Sequence, residues 1–246
     1  MAATVASLWR HPIKGVGAEA LQEVALSEGR CLPFDRRWAI AQEGTAFDPD
    51  TPAWMPCRNF VRGAKAQTLM AVTARMTESG IALSHPDRPD ITIDPETDEA
   101  ALLAWLAPLY PTNRPAPERL VSAGRGMTDS DFESVAILNR ASLRALGQRA
   151  GTLLDERRFR GNIWLEGLAP WEEFDLVGKQ LTVGKATLEV VEPITRCRAT
   201  HGNPETGRAD VDVLAALEAG WGHQDFGVYA KVTHAGSVSI GDVARF

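Results

Sequence analysis

The feature that most constrains the fold of this chain is a succession of short strand-like runs separated by turn residues. Runs of roughly four to eight apolar or alternating residues, bounded by glycine, proline, asparagine or serine, predict β-strands. They occupy residues 4–10, 21–26, 37–42, 67–74, 81–84, 161–166, 180–183, 187–191, 226–233 and 242–246. Three further segments, 97–107, 139–148 and 210–219, carry apolar residues at helical spacing. Many short strands with three helices predict an α+β fold that is predominantly β and barrel-like.

The ends of several segments carry capping or turn signals. Thr97 or Asp98 is expected to cap the first helix. Asp210 is expected to begin the third helix and Gly220 to end it. The Glu-Ser-Gly turn at 78–80 predicts a hairpin between the fourth and fifth strand-like runs.

A proline-dense stretch divides the chain. Its members are Pro108, Pro111, Pro115 and Pro117. Each proline removes a backbone donor and resists regular structure, so such a stretch is typical of a domain boundary. The 246 residues allow one large domain or two small ones. We therefore expect an N-terminal β-barrel-like domain over residues 1–117, packed on a second domain over residues 118–246.

Charge and cysteine usage exclude several classes of protein. The 26 lysines and arginines against 32 acidic residues give a net charge of −6, which argues against non-specific nucleic-acid binding. No run approaches the roughly 20 apolar residues of a membrane span, and the first residues do not resemble a secretory signal. Cys31, Cys57 and Cys197 form no Cys-x-x-Cys pair, which excludes a disulfide scaffold. We expect a cytoplasmic protein that binds neither nucleic acid nor membrane.

One cysteine stands in an unusual setting. Thr195-Arg196-Cys197-Arg198 follows a predicted strand, so it should lie on a loop at a strand end. Cations beside a thiol favour the thiolate and can lower its pKa from about 8.5 to about 3.5–7.5. Cys197 is therefore a candidate nucleophile or metal ligand. The alternative is a partly buried cysteine beside two arginines that form ion pairs.

Two other clusters could bind an anion. Arg160-Gly161-Asn162 lies in a basic segment before a strand, and arginine binds phosphate with two hydrogen bonds. Lys14 follows Pro-Ile, and Arg36 lies further along the chain. The alternative for each cluster is a solvated basic loop. The glycine-rich fingerprints of nucleotide-binding loops, a His-x-x-x-His pair and a Gly-x-Ser-x-Gly motif are all absent from the sequence.

Taken together, these segments resemble the MOSC family, the C-terminal domain of molybdenum cofactor sulfurases, preceded by that family's N-terminal β-barrel domain. The resemblance is carried by Val-Ala-Ser-Leu-Trp-Arg-His-Pro-Ile-Lys at 5–14 and by residues 35–38, 159–163, 195–197, 203–207, 227–229 and 240–242. These motifs run nearly from end to end of the chain in the family's order. The resemblance thus implies a MOSC N-terminal domain over 1–117 and a MOSC domain over 118–246.

The resemblance also implies a cofactor and a set of ligands. The cofactor is the molybdenum cofactor, a pterin dithiolene that bears a phosphate (molybdopterin), held in a cleft between the two domains. Cys197 would be the catalytic residue and the protein thiolate on molybdenum. The positions that would hold the cofactor are Lys14, Gly15, Arg36, Asp131, Arg160, Asn162, Thr195, Arg196 and Thr200. Gly15 stands where many relatives have a serine, and Cys31 and Cys57 match no ligand position and are expected to be structural.

The family resemblance suggests an activity and leaves two alternatives. Relatives similar to the amidoxime-reducing component reduce N-hydroxylated or N-oxide compounds, and this chain would take electrons from a separate protein because it has no Cys-x4-Cys-x2-Cys run. The first alternative is a molybdenum cofactor carrier, or a sulfur relay with a persulfide on Cys197. The second alternative is an anion-binding β-barrel without metal chemistry. Pyridoxal phosphate is not expected, because the chain is too short for the sulfurase's aminotransferase-like domain.

Overall fold

The computed structural model describes residues 2–246, and within them it contains fifteen strands and three α-helices. The strands are β1 (Ala3–Arg10), β2 (Glu19–Leu21), β3 (Glu23–Leu26), β4 (Ala39–Gln42), β5 (Thr73–Thr77), β6 (Gly80–His85), β7 (Arg88–Ile93), β8 (Pro117–Val121), β9 (Val135–Asn139), β10 (Ile163–Glu166), β11 (Gln180–Val183), β12 (Ala186–Thr195), β13 (Asp225–His234), β14 (Gly236–Ser239) and β15 (Val243–Arg245). The helices are α1 (Glu99–Leu106), α2 (Arg140–Ala150) and α3 (Val213–Trp221). No helix among these residues is long and apolar enough to cross a membrane.

Seven strands close into a barrel. They follow the order β10-β9-β13-β12-β11-β15-β1, and β1 pairs back to β10. The strand pairs are antiparallel except for β9 and β10, which are parallel. Val5, Leu165, Val190 and Val228 are among the side chains that fill its interior, each at most 1% exposed. The predicted α+β, predominantly β and barrel-like fold is confirmed.

The first strand joins the two halves of the chain. β1 completes the barrel, although all the other barrel strands follow residue 117 in the sequence. The rest of the N-terminal half forms small sheets, β4-β8 and β5-β6-β7, around a second core that contains Val61, Leu83 and Leu102. β3 pairs with β14 from the other half. The division at 117/118 stays a prediction; in the structure, β8 begins there and pairs with β4.

Three sequence predictions of local structure are wrong. Residues Gln67–Ala71 form a 3-10 helix, so the hairpin begins only at β5. Apolar runs of this length do not distinguish a strand from a buried helical turn. Helix α3 is capped by Asp212, whose Oδ1 accepts from the Ala215 amide at 2.9 Å, and it ends at Gly222 with φ 73°. The predicted cap Asp210 instead pairs with Arg158.

The cap of α1 also differs from the prediction. Asp98 does occupy the N-cap position, but its side chain makes no capping bond to the helix. Its Oδ2 accepts from the amide of Asp94 at 2.9 Å instead. The carboxylate therefore closes the turn before the helix.

A buried glutamate behind the barrel gives a stability prediction. Glu173 is fully buried; its Oε2 accepts from Asn139 at 2.8 Å and Ser142 at 2.7 Å, while Oε1 has no partner among the described residues. Burial raises the pKa of Glu173. A carboxyl whose folded pKa lies above its unfolded value contributes stability that is lost as pH rises. Glu173→Gln is therefore expected to increase the free energy of unfolding at pH 8, and the increase should shrink towards pH 4.

Urea unfolding at several pH values measures this effect. The exposed Asp175, two residues along the same segment, provides the control Asp175→Asn, which should show little change. A Glu173→Gln effect that is the same at pH 4 and pH 8 would show that Glu173 does not change its pKa on folding.

Candidate functional site

A cavity of about 200 Å³ lies where loops of the N-terminal half meet the end of barrel strand β12 and the middle of β13. Eight of the residues that the sequence singled out line it: Lys14, Gly15, Arg36, Arg160, Thr195, Arg196, Cys197 and Thr200. This volume lies below the roughly 300–1,000 Å³ of pockets for drug-sized ligands, so it favours a compact ligand over an extended dinucleotide.

The loop after β1 brings Lys14 into this cavity. The Lys14 amide donates to the carbonyl of Trp38 at 2.8 Å, and Gly15 turns the chain with φ 76° against the backbone of Val61. Lys14 is buried, and its Nζ donates to the Met127 carbonyl at 2.7 Å. Nζ also pairs with Asp129 Oδ1 at 2.5 Å. The ammonium group is thus fixed at the cavity wall.

Two arginines in left-handed backbone conformations stand beside Lys14. Arg36 has φ 50° and Arg160 has φ 48°, and Arg36 Nη2 donates to the Arg160 carbonyl at 2.8 Å. The Arg160 side chain donates to the carbonyls of Gly17 at 2.9 Å and Ile13 at 3.2 Å. Burial and the neighbouring Arg36 lower the pKa of Arg160 to about 9, so it remains cationic at neutral pH.

A fully buried carboxylate supports this pair from behind. Asp35 accepts from the His11 amide at 2.7 Å and pairs with Arg36 Nη1. Although burial alone would raise it, Arg36 and His11 hold the pKa of Asp35 well below its usual range. Burial, together with Arg160, lowers the pKa of His11 to about 3, so the imidazole is neutral at pH 7. Asp35 is therefore a permanent anion that fixes Arg36.

The segment that carries Cys197 is held by its neighbour. Arg196 Nε donates to the Phe226 carbonyl at 2.7 Å and Nη1 to the Phe159 carbonyl at 2.8 Å. Its guanidinium carbon lies 5.6 Å from the ring centre of Phe159 and 5.8 Å from that of Phe226, and the two rings stack on each other. Thr200 Oγ1 donates to the Cys197 carbonyl at 3.0 Å, and burial lowers the pKa of Arg196 to about 10. These contacts fix the Cys197 backbone while its side chain stays exposed.

The Cys197 thiol does not have the lowered pKa that its flanking arginines suggested. The surrounding cavity wall raises the pKa of Cys197, and the opposing effect of Arg196 is smaller. The reason is that Arg196 points its guanidinium towards backbone carbonyls and aromatic rings, and Arg198 is exposed to solvent. The free thiol is thus protonated near neutral pH, and a metal ion would have to displace that proton.

Two predicted ligands lie outside the cavity lining. Asn162 is 1% exposed, and its side chain accepts from the Ala136 amide at 2.9 Å and donates to the Trp9 carbonyl at 3.2 Å. It therefore ties β1 to β9 behind the cavity. Asp131 is exposed and does not line the cavity, whereas Asp129, two residues earlier, does.

Sequence reasoning missed several lining residues. Among them, Tyr229 lies in one of the family motifs, and burial raises its pKa above its usual range. Arg62 and Arg158 also line the cavity, and Arg158 pairs with Asp210 at 2.8 Å. Arg158 lies in the basic segment at 157–162 that the sequence singled out as a candidate anion site, although it was not among the predicted ligands. No comparable signal marked Arg62.

The three cysteines have different surroundings. Cys31 is buried, as expected for a structural cysteine, and burial raises its pKa to about 12. Cys57 was also expected to be structural, but it lines the same cavity as Cys197, and Arg62 Nη1 lies 3.2 Å from its Sγ. The cavity thus contains two thiols.

The charges in the cavity fit an anion that lies beside a soft metal. The lining cations are Lys14, Arg36, Arg62, Arg158, Arg160 and Arg196. Among the described residues, Arg62, Arg160 and Arg196 contact no carboxylate within ion-pair distance. The buried Nε atoms of Arg62 and Arg158 have no hydrogen-bond partner there. Guanidinium groups that no carboxylate neutralises suit phosphate oxygens, and the exposed thiol suits a thiophilic metal. The residues present therefore fit a phosphate-bearing metal cofactor.

Comparisons with known proteins agree with this description. The curated molybdenum cofactor sulfurase of Caenorhabditis elegans is 33% identical over 112 residues, which are 44% of this chain and 15% of the relative. That of Drosophila grimshawi is 35% identical over 96 residues, 38% of this chain and 12% of the relative. The chain thus spans less than a sixth of the length of these relatives.

Two solved structures are similar to the chain, and two family models match it. The YuaD protein from Bacillus subtilis is similar over 99% of this chain and 94% of its own, with a TM-score of 0.48 and 11% identity. YiiM from Geobacillus stearothermophilus is similar over 44% of this chain and 51% of its own, with a TM-score of 0.33 and 21% identity. The model of the MOSC N-terminal beta barrel domain matches residues 2–107, and that of the MOSC domain matches residues 125–245. The chain therefore belongs to the MOSC family, with the family's N-terminal β-barrel domain preceding its MOSC domain.

Proposed function

We propose that the cavity binds the molybdenum cofactor, with Cys197 as the protein ligand of molybdenum, and that the protein reduces N-hydroxylated or N-oxide compounds. The observation that carries this proposal is the exposed Cys197 thiol at a cavity with three guanidinium groups that no carboxylate neutralises among the described residues. These belong to Arg62, Arg160 and Arg196. The relation of the family to the molybdenum cofactor supports the same assignment.

Each residue has a part in holding the cofactor. Lys14, Arg36 and Arg160 would bind the phosphate, because all three cations line the cavity and Arg36 contacts the Arg160 backbone. Gly15 has no Cβ, so the loop packs closely against the Val61 backbone and keeps Lys14 at the cavity wall. Cys197 would supply a soft sulfur ligand, the kind of ligand that thiophilic metals prefer.

The proposed reaction needs a source of protons and electrons. Breaking the N–O bond of an N-hydroxylated compound consumes two electrons and two protons and releases an amine or amidine and water. When bound, the molybdenum cofactor supplies two-electron redox chemistry and an oxygen acceptor. Tyr229 lines the cavity, and its raised pKa keeps the proton on Oη at neutral pH, where it can donate a hydrogen bond to the substrate oxygen. A separate protein would supply the electrons, and the thiols suit a reducing compartment such as the cytoplasm.

The activity of loaded protein tests the proposal. Protein loaded with cofactor and supplied with a chemical reductant is expected to convert an amidoxime to the amidine, which chromatography detects. Loaded Cys197→Ala protein should be slower by at least about 100-fold, since even residues that only support a metal ligand contribute up to about that factor. Cys31→Ala, which changes a thiol outside the cavity, should keep the wild-type rate. Reduction by loaded Cys197→Ala at the wild-type rate would refute the ligand role.

One observation favours a second candidate, a sulfur relay. Cys57 and Cys197 line the same cavity, so a persulfide formed on Cys197 from a persulfide donor has a second thiol near it. Mass spectrometry of protein treated with such a donor should then find one added sulfur atom on Cys197. Its absence, together with turnover of N-hydroxylated substrates, would exclude the relay.

A further inference from the structure

We propose that Asp129 is a displaceable counter-ion: its carboxylate occupies the anion position on Lys14 and leaves when an anionic ligand binds, so it sets the affinity of the cavity for multiply charged anions. The inference rests on the anion-binding part of the proposed function and does not require molybdenum chemistry.

The contact between Lys14 and Asp129 is asymmetric. The Lys14 side chain is 4% exposed and is also bound to the Met127 carbonyl, so its ammonium group cannot leave the wall. The Asp129 side chain is 57% exposed and can turn into solvent. A ligand that reaches Lys14 would therefore displace the carboxylate rather than the lysine.

The backbone around Asp129 is fixed, so only its side chain has this freedom. Thr128 and Ser130, on either side, are 3% and 7% exposed. Thr128 Oγ1 donates to the Ser130 carbonyl at 3.1 Å, and Ser130 Oγ lies 2.7 Å from Ser134 Oγ. Displacement of the carboxylate then needs a side-chain rotation and leaves the loop in place.

The surrounding charges make Asp129 a competitor of any anion. Among residues 2–246, which the structure describes, Asp129 is the single acidic side chain that lines the cavity. The cavity desolvates Asp129, but Lys14 and Arg36 outweigh this and lower its pKa to about 2, so it stays ionised at neutral pH. Two anions cannot share one ammonium group without repulsion. The carboxylate consequently opposes binding of a dianion more than that of a monoanion.

The neighbouring Asp131 offers a matched control. It lies two residues away in the same loop, is exposed and does not line the cavity. Asp131→Asn therefore makes the same change of net charge outside the site.

Isothermal titration with inorganic phosphate at low ionic strength tests the inference. The Asp129→Asn protein is expected to bind phosphate about tenfold more tightly than the wild type, the size of effect typical of one close like charge. Asp131→Asn should bind as the wild type does. In a Lys14→Met background the gain from Asp129→Asn should become clearly smaller, because contacting residues are not additive.

Several results would overturn the inference. The first is phosphate binding by Asp129→Asn that is absent, unchanged or weaker. The others are an equal gain in Asp131→Asn and a gain that Lys14→Met leaves undiminished. Weaker binding in particular would mean that Asp129 contacts the ligand directly. Because the readout is phosphate affinity, its failure is distinct from failure of the proposed reductase, which turnover of N-hydroxylated substrates measures.

Discussion

Replacement of Cys197 by serine is expected to lower the molybdenum content of protein made in a cofactor-overproducing host from about one atom per chain to below about a tenth, because a hydroxyl is a poor ligand for a thiophilic metal. The side chain is exposed, so the substitution leaves the core unchanged. Its backbone is fixed independently by Thr200 and Arg196. Elemental analysis of the purified protein measures the effect.

The other cysteines make this experiment specific. Cys31→Ser changes a buried thiol outside the cavity and should keep its molybdenum. Cys57→Ser removes the second thiol of the cavity; retained molybdenum in this variant would assign the metal to Cys197 alone. A Cys197→Ser protein with full molybdenum would show that the sulfur is not the protein ligand. Lack of metal in the wild type as well would instead favour the sulfur relay or the anion-binding barrel.

The barrel could be predicted from the sequence where one face of each strand is buried. β11 alternates throughout and β13 alternates from Val228 onwards, and the predicted runs match both strands closely. β9 was missed because all of its residues, Val135–Asn139, are buried, so no alternation marks it. Its neighbour β10 is parallel to it, and parallel strands read as continuous apolar runs.

Two more strands were not predicted, because each of them contains a proline. Pro89 lies in β7 and Pro117 in β8, and each strand is at the edge of its sheet. An edge strand tolerates proline because one row of its backbone donors has no strand partner. The proline-dense stretch therefore ends in a strand that belongs to the N-terminal half.

The candidate site was predictable to the extent that its residues lie in short motifs. Lys14, Arg36 and Arg160 are brought together by turns that the neighbouring residues encode. The sequence does not say which side of a loop faces the cavity, and for this reason Asp131 was selected in place of Asp129. Cys57 depends on a loop whose path is set by distant contacts, so no local signal could place it there.

A second large effect is expected at Gly15, where the family resemblance implies a serine in many relatives. Gly15 has φ 76°, and a Cβ there would lie 2.6 Å from the Val61 carbonyl oxygen and 2.8 Å from the Arg62 Cα. A left-handed conformation costs a non-glycine residue about 1–2 kcal/mol, and the contacts are with backbone atoms that cannot move aside alone. Gly15→Ser should therefore lower the free energy of unfolding by about 2–4 kcal/mol, measured by urea denaturation.

Gly44 provides a control that separates the conformational cost of a non-glycine residue from the cost of the steric contacts. It has φ 80°, and no atom lies within 4 Å of the position that a Cβ would take, so Gly44→Ser should cost only the conformational part, about 1 kcal/mol. If packing against the Val61–Arg62 backbone is the reason for a glycine at position 15, Gly15→Ser should also weaken phosphate binding. Lys14 would then shift with the loop. Tighter phosphate binding at wild-type stability would mean that a serine hydroxyl can act here as a ligand. The glycine would then be a lost ligand position, and the approach of Gly15 to the Val61–Arg62 backbone would not be what selects it.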